Sequence, residues 1–134
     1  AGIKEASGDM SYAMKIARCV GPDFALYSGN DDITVPILSI GGSGVISVYA
    51  NVMPAMCHKI VADWLAGDHA RALANHLRYL KLMNDLFLEV NPIPVKAALN
   101  LMGLEAGPMR LPLCEMSPEH TETLRSTLRE AGLL

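Results

Sequence analysis

Lys4 stands inside a short apolar run at the start of the chain, Ala1-Gly2-Ile3-Lys4-Glu5-Ala6. A charged ammonium is costly to bury in such a run unless it is paired. Desolvation disfavours the charged form and draws a lysine pKa down from about 10.4, which frees an amine near neutral pH. A neutral amine beside a cavity is the nucleophile that forms a Schiff base with a ketone. The alternative is a strand-end lysine paired with an acid or turned to solvent. Strand alternation puts Gly2 and Lys4 on one side, and Gly2 leaves room for the amine and an adduct.

Other reactive residue types form weaker patterns. Gly41-Gly42-Ser43-Gly44 invites a phosphate-loop reading, but no Lys-Ser or Lys-Thr follows it. The cluster also precedes an apolar run, which places it at the amino-terminal side of a strand, and close packing is its expected role. His69 and His76 could share a helix face but lack a third ligand nearby, so packed or solvated histidines are expected there and at His58 and His120. No metal and no cofactor is implied. Cys19, Cys57 and Cys114 are scattered without a CxxC pair and are expected as reduced thiols in a buried, cytoplasmic core.

The elements that must position these groups fall into two textures. Residues 1–6 are strand-like, and Asp9 is placed to cap a helix over 10–19 with Met10, Met14 or Ala13, and Ala17 on one face. Residues 24–28 form a second strand, 33–40 a short helix and 45–48 a third strand. Consecutive apolar residues suit parallel strands covered on both faces, and the rhythm is that of a parallel α/β fold. From about residue 51 the pattern is helical: 52–66, a long helix over 68–88 capped by Asp68, 95–102, and a last helix to about 131 begun by Ser117-Pro118. Leu73, Leu77, Leu80 and Leu86 lie near helical spacing in the long helix. Asn91-Pro92-Ile93-Pro94 breaks the chain, since neither proline continues a helix.

Composition narrows the classes. The chain has 134 residues, 51% of them hydrophobic and 19% charged, so it can bury one substantial core and is not disordered. Its 11 Lys and Arg against 14 Asp and Glu give a net charge of −3, which attracts neither nucleic acid nor an anionic membrane. Residues 33–57 carry no charge, but Pro36, Pro54 and the glycine cluster interrupt a membrane span. Three parallel strands leave two bare edges, and the chain opens on Ala1 without an initiator Met. Both features read as a piece of something longer, with the missing strands supplied by another segment.

The residues also resemble a known family. Gly2-Ile3-Lys4-Glu5-Ala6-Ser7-Gly8-Asp9 resembles the Schiff-base lysine strand of the dihydrodipicolinate synthases. The resemblance continues in order through Tyr27-Ser28-Gly29-Asn30-Asp31, Gly41 to Val48, Ala50-Asn51, Asn91-Pro92-Ile93-Pro94-Val95-Lys96 and Arg110-Leu111-Pro112-Leu113. The lysine strand alone would also admit N-acetylneuraminate lyases and other pyruvate aldolases. Glu5 and the Asn-Pro-Ile-Pro-Val-Lys segment favour the synthase branch.

The resemblance implies a (β/α)8 TIM barrel followed by a helical domain, with this chain holding strands six to eight in residues 1–66 and the helical domain in 67–134. It implies that Lys4 condenses with pyruvate and that the enamine adds to aspartate semialdehyde. Gly29 and Ile46 match positions whose backbone lines the pyruvate pocket, and Asn91 matches a position near the barrel mouth. It implies no metal, a homotetramer, and a companion N-terminal half carrying the proton-relay tyrosines and threonine and the carboxylate-gripping arginine. The fragment by itself is expected to be inactive, and a non-catalytic interaction fragment is the reading from another class.

Overall fold

A computed structural model describes residues 1–134. Three parallel strands run in chain order across one sheet: β1 (Gly2–Glu5), β2 (Ala25–Ser28) and β3 (Gly44–Val45). The register places Gly2 beside Ala25, Lys4 beside Tyr27 and Glu5 beside Ser28, then Tyr27 beside Gly44 and Ser28 beside Val45. Paired residues project to the same side of a parallel sheet. Ile3 and Leu26 therefore turn together toward the helices, where Ala13, Leu26 and Ile37 form a small core joined by Ile3, Ile16 and Ile33. The opposite face carries Gly2 and Lys4, both exposed.

Each crossover has a local cause. The Asp9 carboxylate accepts from Ser11 N–H at 2.7 Å and Tyr12 N–H at 3.2 Å, which starts α1 (Met10–Cys19). Of the two alternatives for the inner face, Ala13 is buried and Met14 is not. A single 3₁₀ turn (Asp31–Ile33) leads into α2 (Thr34–Ser39), which buries Val35, Ile37 and Leu38. The return to β3 passes through Gly42, whose notional Cβ would meet the Ile37 carbonyl oxygen at 2.6 Å. The glycine turn thus lies at the amino-terminal end of its strand and packs on α2.

The third strand is shorter than its apolar run. Only Gly44 and Val45 pair with β2, because the Asp31 carboxylate takes the Val48 and Tyr49 N–H groups and bends the chain into a 3₁₀ turn (Tyr49–Asn51). Helix α3 (Pro54–Leu65) follows, with proline at its first turn, and ends before Gly67 at φ +88°.

The helical remainder is α4 (His69–Arg78), α5 (Leu80–Asp85), α6 (Ile93–Leu101) and α7 (Pro118–Glu130). Asp68 caps α4 through Arg71 N–H at 3.1 Å, and Ser117 caps α7. The single long helix expected over 68–88 is two, since Tyr79 closes α4 and buries its ring 6.2 Å from that of Tyr49. Leu73 and Leu77 point to solvent, because the narrow buried face of α4 is made by Ala72 and His76 instead.

One core of fifteen buried residues reaches from Val35 and Tyr49 through Leu82 and Leu86 to Leu124 and Leu128. Fully burying an aliphatic side chain of that size contributes about 1.5–3 kcal/mol. Glu89 joins the turn before α6 to the start of α7, accepting from Ser117 N–H at 3.0 Å and pairing with the His120 ring at 2.8 Å. Those two contacts, the Ser117 backbone first, hold its carboxyl below the usual range. Among the cysteines only Cys57 is buried; Cys19 and Cys114 are exposed, contrary to the expectation of three buried thiols. No helix is long and apolar enough to cross a membrane.

Candidate active site

The carboxyl ends of β1, β2 and β3 meet where Lys4, Gly29 and Ile46 lie. Gly29 N–H donates to the Glu5 carbonyl at 2.5 Å, and Ile46 N–H to the Ser28 carbonyl at 2.8 Å. These bonds carry the strand ladder past its formal ends and seat the two loops against β1. A Cβ on Gly29 would stand 2.9 Å from Lys4 Cε and 2.8 Å from the Glu5 carbonyl oxygen, and would collide with the Ala6 Cβ. Only a glycine allows the lysine stem to lie there.

Lys4 shares a row with Tyr27 and Gly44 on the open face, and it is exposed and without an ion-pair partner in the chain. Of the two sequence alternatives, turned to solvent describes the side chain within these 134 residues. The dry surroundings expected of a buried lysine are not supplied by the chain's own residues. The amine stands on the open face that also bears Gly2 and Gly29.

Glu5 faces the other way and is 4% exposed. Its Oε1 accepts from Ser7 N–H at 2.7 Å, while Oε2 is buried without a partner. The Ser28 hydroxyl donates to the Asn30 carbonyl at 2.6 Å and folds the loop after Gly29 back on the strand end. Ile46 is 49% exposed beyond β3. Asn91 is exposed in the turn ahead of α6, and no hydrogen bond ties it to Lys4, Gly29 or Ile46. The strand ends therefore bring together Lys4, Gly29 and Ile46, and Asn91 is held by a separate element.

Sequence reasoning gave Asp31 no role and expected His76 only as a packed or solvated histidine; the structure buries both and gives each a loop to hold. Asp31 is 3% exposed, and its Oδ2 accepts from Val48 N–H at 3.0 Å and Tyr49 N–H at 2.9 Å. His76 is 3% exposed, and its Nε2 lies 2.9 Å from the Asp32 carbonyl. A carbonyl only accepts, so that nitrogen carries the hydrogen. Burial is the main reason that the His76 pKa is lowered, which keeps the ring neutral. The available signal was a pair of acids, Asp31 and Asp32, that begins two residues after Gly29 and stands directly ahead of an uncharged run. His69, by contrast, stacks on Trp64 at 4.2 Å and stands apart from His76.

A model of the Dihydrodipicolinate synthetase family matches residues 1–131. The 4-hydroxy-tetrahydrodipicolinate synthase of Thermoanaerobacter sp. (strain X514) is 52% identical over 133 residues, which cover 99% of this chain and 45% of that protein. The corresponding synthase of Clostridium perfringens (strain SM101 / Type A) is 50% identical over 132 residues, 98% of this chain and 45% of its own length. Dihydrodipicolinate synthase from Thermotoga maritima superposes with a TM-score of 0.94 at 43% identity, covering 99% of this chain and 46% of that one. The chloride-inhibited synthase from Acinetobacter baumannii, complexed with pyruvate, gives 0.94 at 36% identity and covers 100% and 46%. This chain thus spans a little under half the length of the relatives it matches, and its three parallel strands and helices match part of their TIM-barrel fold.

Proposed function

The chain belongs to the dihydrodipicolinate synthetase family, and from that premise we propose that it carries the Schiff-base lysine of a lyase that condenses pyruvate with aspartate semialdehyde to 4-hydroxy-tetrahydrodipicolinate, in lysine and diaminopimelate biosynthesis. The observation that carries this reading is Lys4 on the open sheet face with the side-chain-free Gly29 against its stem. Gly29 and Ile46 offer backbone to the keto acid, and Asn91 serves nearer the mouth of the barrel. Residues 1–66 then contribute strands six to eight, and 67–134 the helical domain.

In the first step the Lys4 amine adds to the ketone carbon of pyruvate and water leaves, so that a C=N bond replaces C=O. The amine must arrive neutral, and the imine then takes up a proton. The resulting iminium withdraws electrons, a methyl proton departs, and the enamine carbon attacks the aldehyde of aspartate semialdehyde. Cyclisation returns Lys4 as the free amine.

The lysine is exposed within this chain, so a companion segment carrying the other strands must close the pocket and dry the amine. That companion, a homotetrameric assembly and a cytoplasmic setting are parts of the same proposal. Residues that move protons and grip the aldehyde substrate belong to the companion, and the fragment alone is inactive.

Borohydride trapping tests the assignment. The chain assembled with a polypeptide supplying the remaining strands should gain the mass of a reduced pyruvate adduct on Lys4, and Lys4→Ala should gain none. An adduct that persists in Lys4→Ala, on another lysine, would overturn the reading.

A further inference from the structure

Two buried acids at the carboxyl end of the sheet, Glu5 and Asp31, are not used by the proposed chemistry, and Asp31 is the one bonded to a distant segment. Asp31 is buried at 3% exposure with no lysine or arginine pairing it. A buried carboxylate is expensive, and a neutral acceptor would accept the same two N–H groups at a lower desolvation cost. What the carboxylate supplies is stiffness, since hydrogen bonds to an ionised acceptor are the strong ones. Both N–H groups belong to the segment immediately after Ile46, seventeen and eighteen residues further along the chain.

The opposite side of the same loop is also held. His76, from α4, donates to the Asp32 carbonyl at 2.9 Å, and the Thr34 hydroxyl donates to the Asp31 carbonyl at 2.8 Å. The loop that begins at Gly29 is therefore clamped between a helix outside the sheet and the loop that follows β3. Ser28 and Ile46 are themselves bonded, at 2.8 Å. Moving either clamp shifts Gly29 and Ile46 relative to Lys4.

We propose that Asp31 and His76 are positioning residues for the keto-acid subsite: Asp31 fixes the backbone after Ile46, His76 fixes the backbone after Gly29, and neither touches the substrate. The inference rests on the Schiff-base reading above and deepens it. Burial above all raises the pKa of the Tyr49 phenol and the Cys57 thiol, so both stay protonated beside the clamp.

The test is borohydride trapping in the assembled enzyme with pyruvate varied, on Asp31→Ala, Asp31→Asn, His76→Leu and His76→Gln. Asp31→Ala and His76→Leu should each raise the half-saturating pyruvate concentration by about tenfold, as expected for losing such bonds. The maximal trapping rate should change much less. Gln keeps a donor, so His76→Gln should saturate close to wild type; Asn keeps only a neutral acceptor, so Asp31→Asn should fall between Asp31→Ala and wild type. Should Asp31→Ala not assemble, His76→Leu, of similar volume, carries the test. Half-saturation that stays at the wild-type value while the melting temperature falls would reduce both residues to structural support. Asn and Gln variants as impaired as Ala and Leu would also overturn the inference. A wild type that traps no keto acid overturns the Schiff-base reading and this inference together, so the two failures are distinguishable.

Discussion

Gly29 and Lys4 lie so close across the β1–β2 pair that one added carbon on Gly29 would stand 2.9 Å from Lys4 Cε. The backbone offers no relief, because the Glu5 carbonyl oxygen would be 2.8 Å away. Gly29→Ala should therefore push the lysine stem aside or open the Gly29–Glu5 hydrogen bond. Overpacking of this kind destabilises by about 1–3 kcal/mol. Trapping of pyruvate should fall by more than that loss of stability explains, because the displaced group is the proposed nucleophile. Thermal melts and adduct yields compared on the same variant check this; a full adduct yield would show that the contact is slack.

Gly42→Ala tests the other glycine cluster. A Cβ there would meet the Ile37 carbonyl oxygen and Cγ2, each at 2.6 Å. The expected result is a loss of about 1–3 kcal/mol of stability with half-saturating pyruvate unchanged, since this turn sits at the end of the sheet away from Lys4. A shift in pyruvate saturation without a fall in melting temperature would give the turn a role in binding that packing does not explain.

The parts of this architecture that were legible in the sequence are those with local causes. Asp9 and Ser117 cap their helices as their types and spacing imply, and α1 has the expected bounds. The exposed face of Gly2 and Lys4 follows from strand alternation. The misread parts depend on distant contacts. The apolar run 45–48 looks like a strand, yet Asp31, remote in sequence, captures the N–H groups of Val48 and Tyr49 at its end. The leucine spacing from Leu73 to Leu86 runs on past Tyr79, and only the packing of that ring beside Tyr49 shows why the helix breaks. The contacts of Asp31 and His76 were not legible for the same reason: each is defined by a partner on another element.

Arg71 holds α4 to α3 through Asp63. Its Nε and Nη2 lie 3.0 Å from the two Asp63 oxygens, Lys59 adds a contact at 3.0 Å, and Asp68 is paired at 3.0 Å. The hydrogen bond from Arg71 is the largest of the effects that lower the Asp63 pKa below its usual 3.8. A depressed carboxyl pKa stabilises the fold above the unfolded value, and that contribution fades as pH falls from there toward the folded value. Arg71→Ala should thus lower the melting temperature most near neutral pH, and the gap from wild type should close below about pH 3.8. Arg71 is half exposed, so added salt should narrow the gap as well. A gap independent of pH and salt would assign the role of Arg71 to packing of its stem.

Leu124 lies on α7 with no exposed surface, in the core that also holds Tyr49 and Val35 from the sheet-bearing half. Truncating a fully buried leucine leaves a cavity and costs about 2–5 kcal/mol. If residues 67–134 were an independent unit, Leu124→Ala would loosen that unit alone. A shared core spreads the loss instead, because Tyr49 touches both sides of the proposed boundary through Asp31 and the Tyr79 ring. In the assembled enzyme, Leu124→Ala should lower one cooperative melting transition, and hydrogen-exchange protection of the Tyr49 and Leu128 amides should fall together. Protection lost at Leu128 but kept at Tyr49 would separate the helices from the sheet as two units, and would weaken the case that α4 steadies the loop beside Lys4.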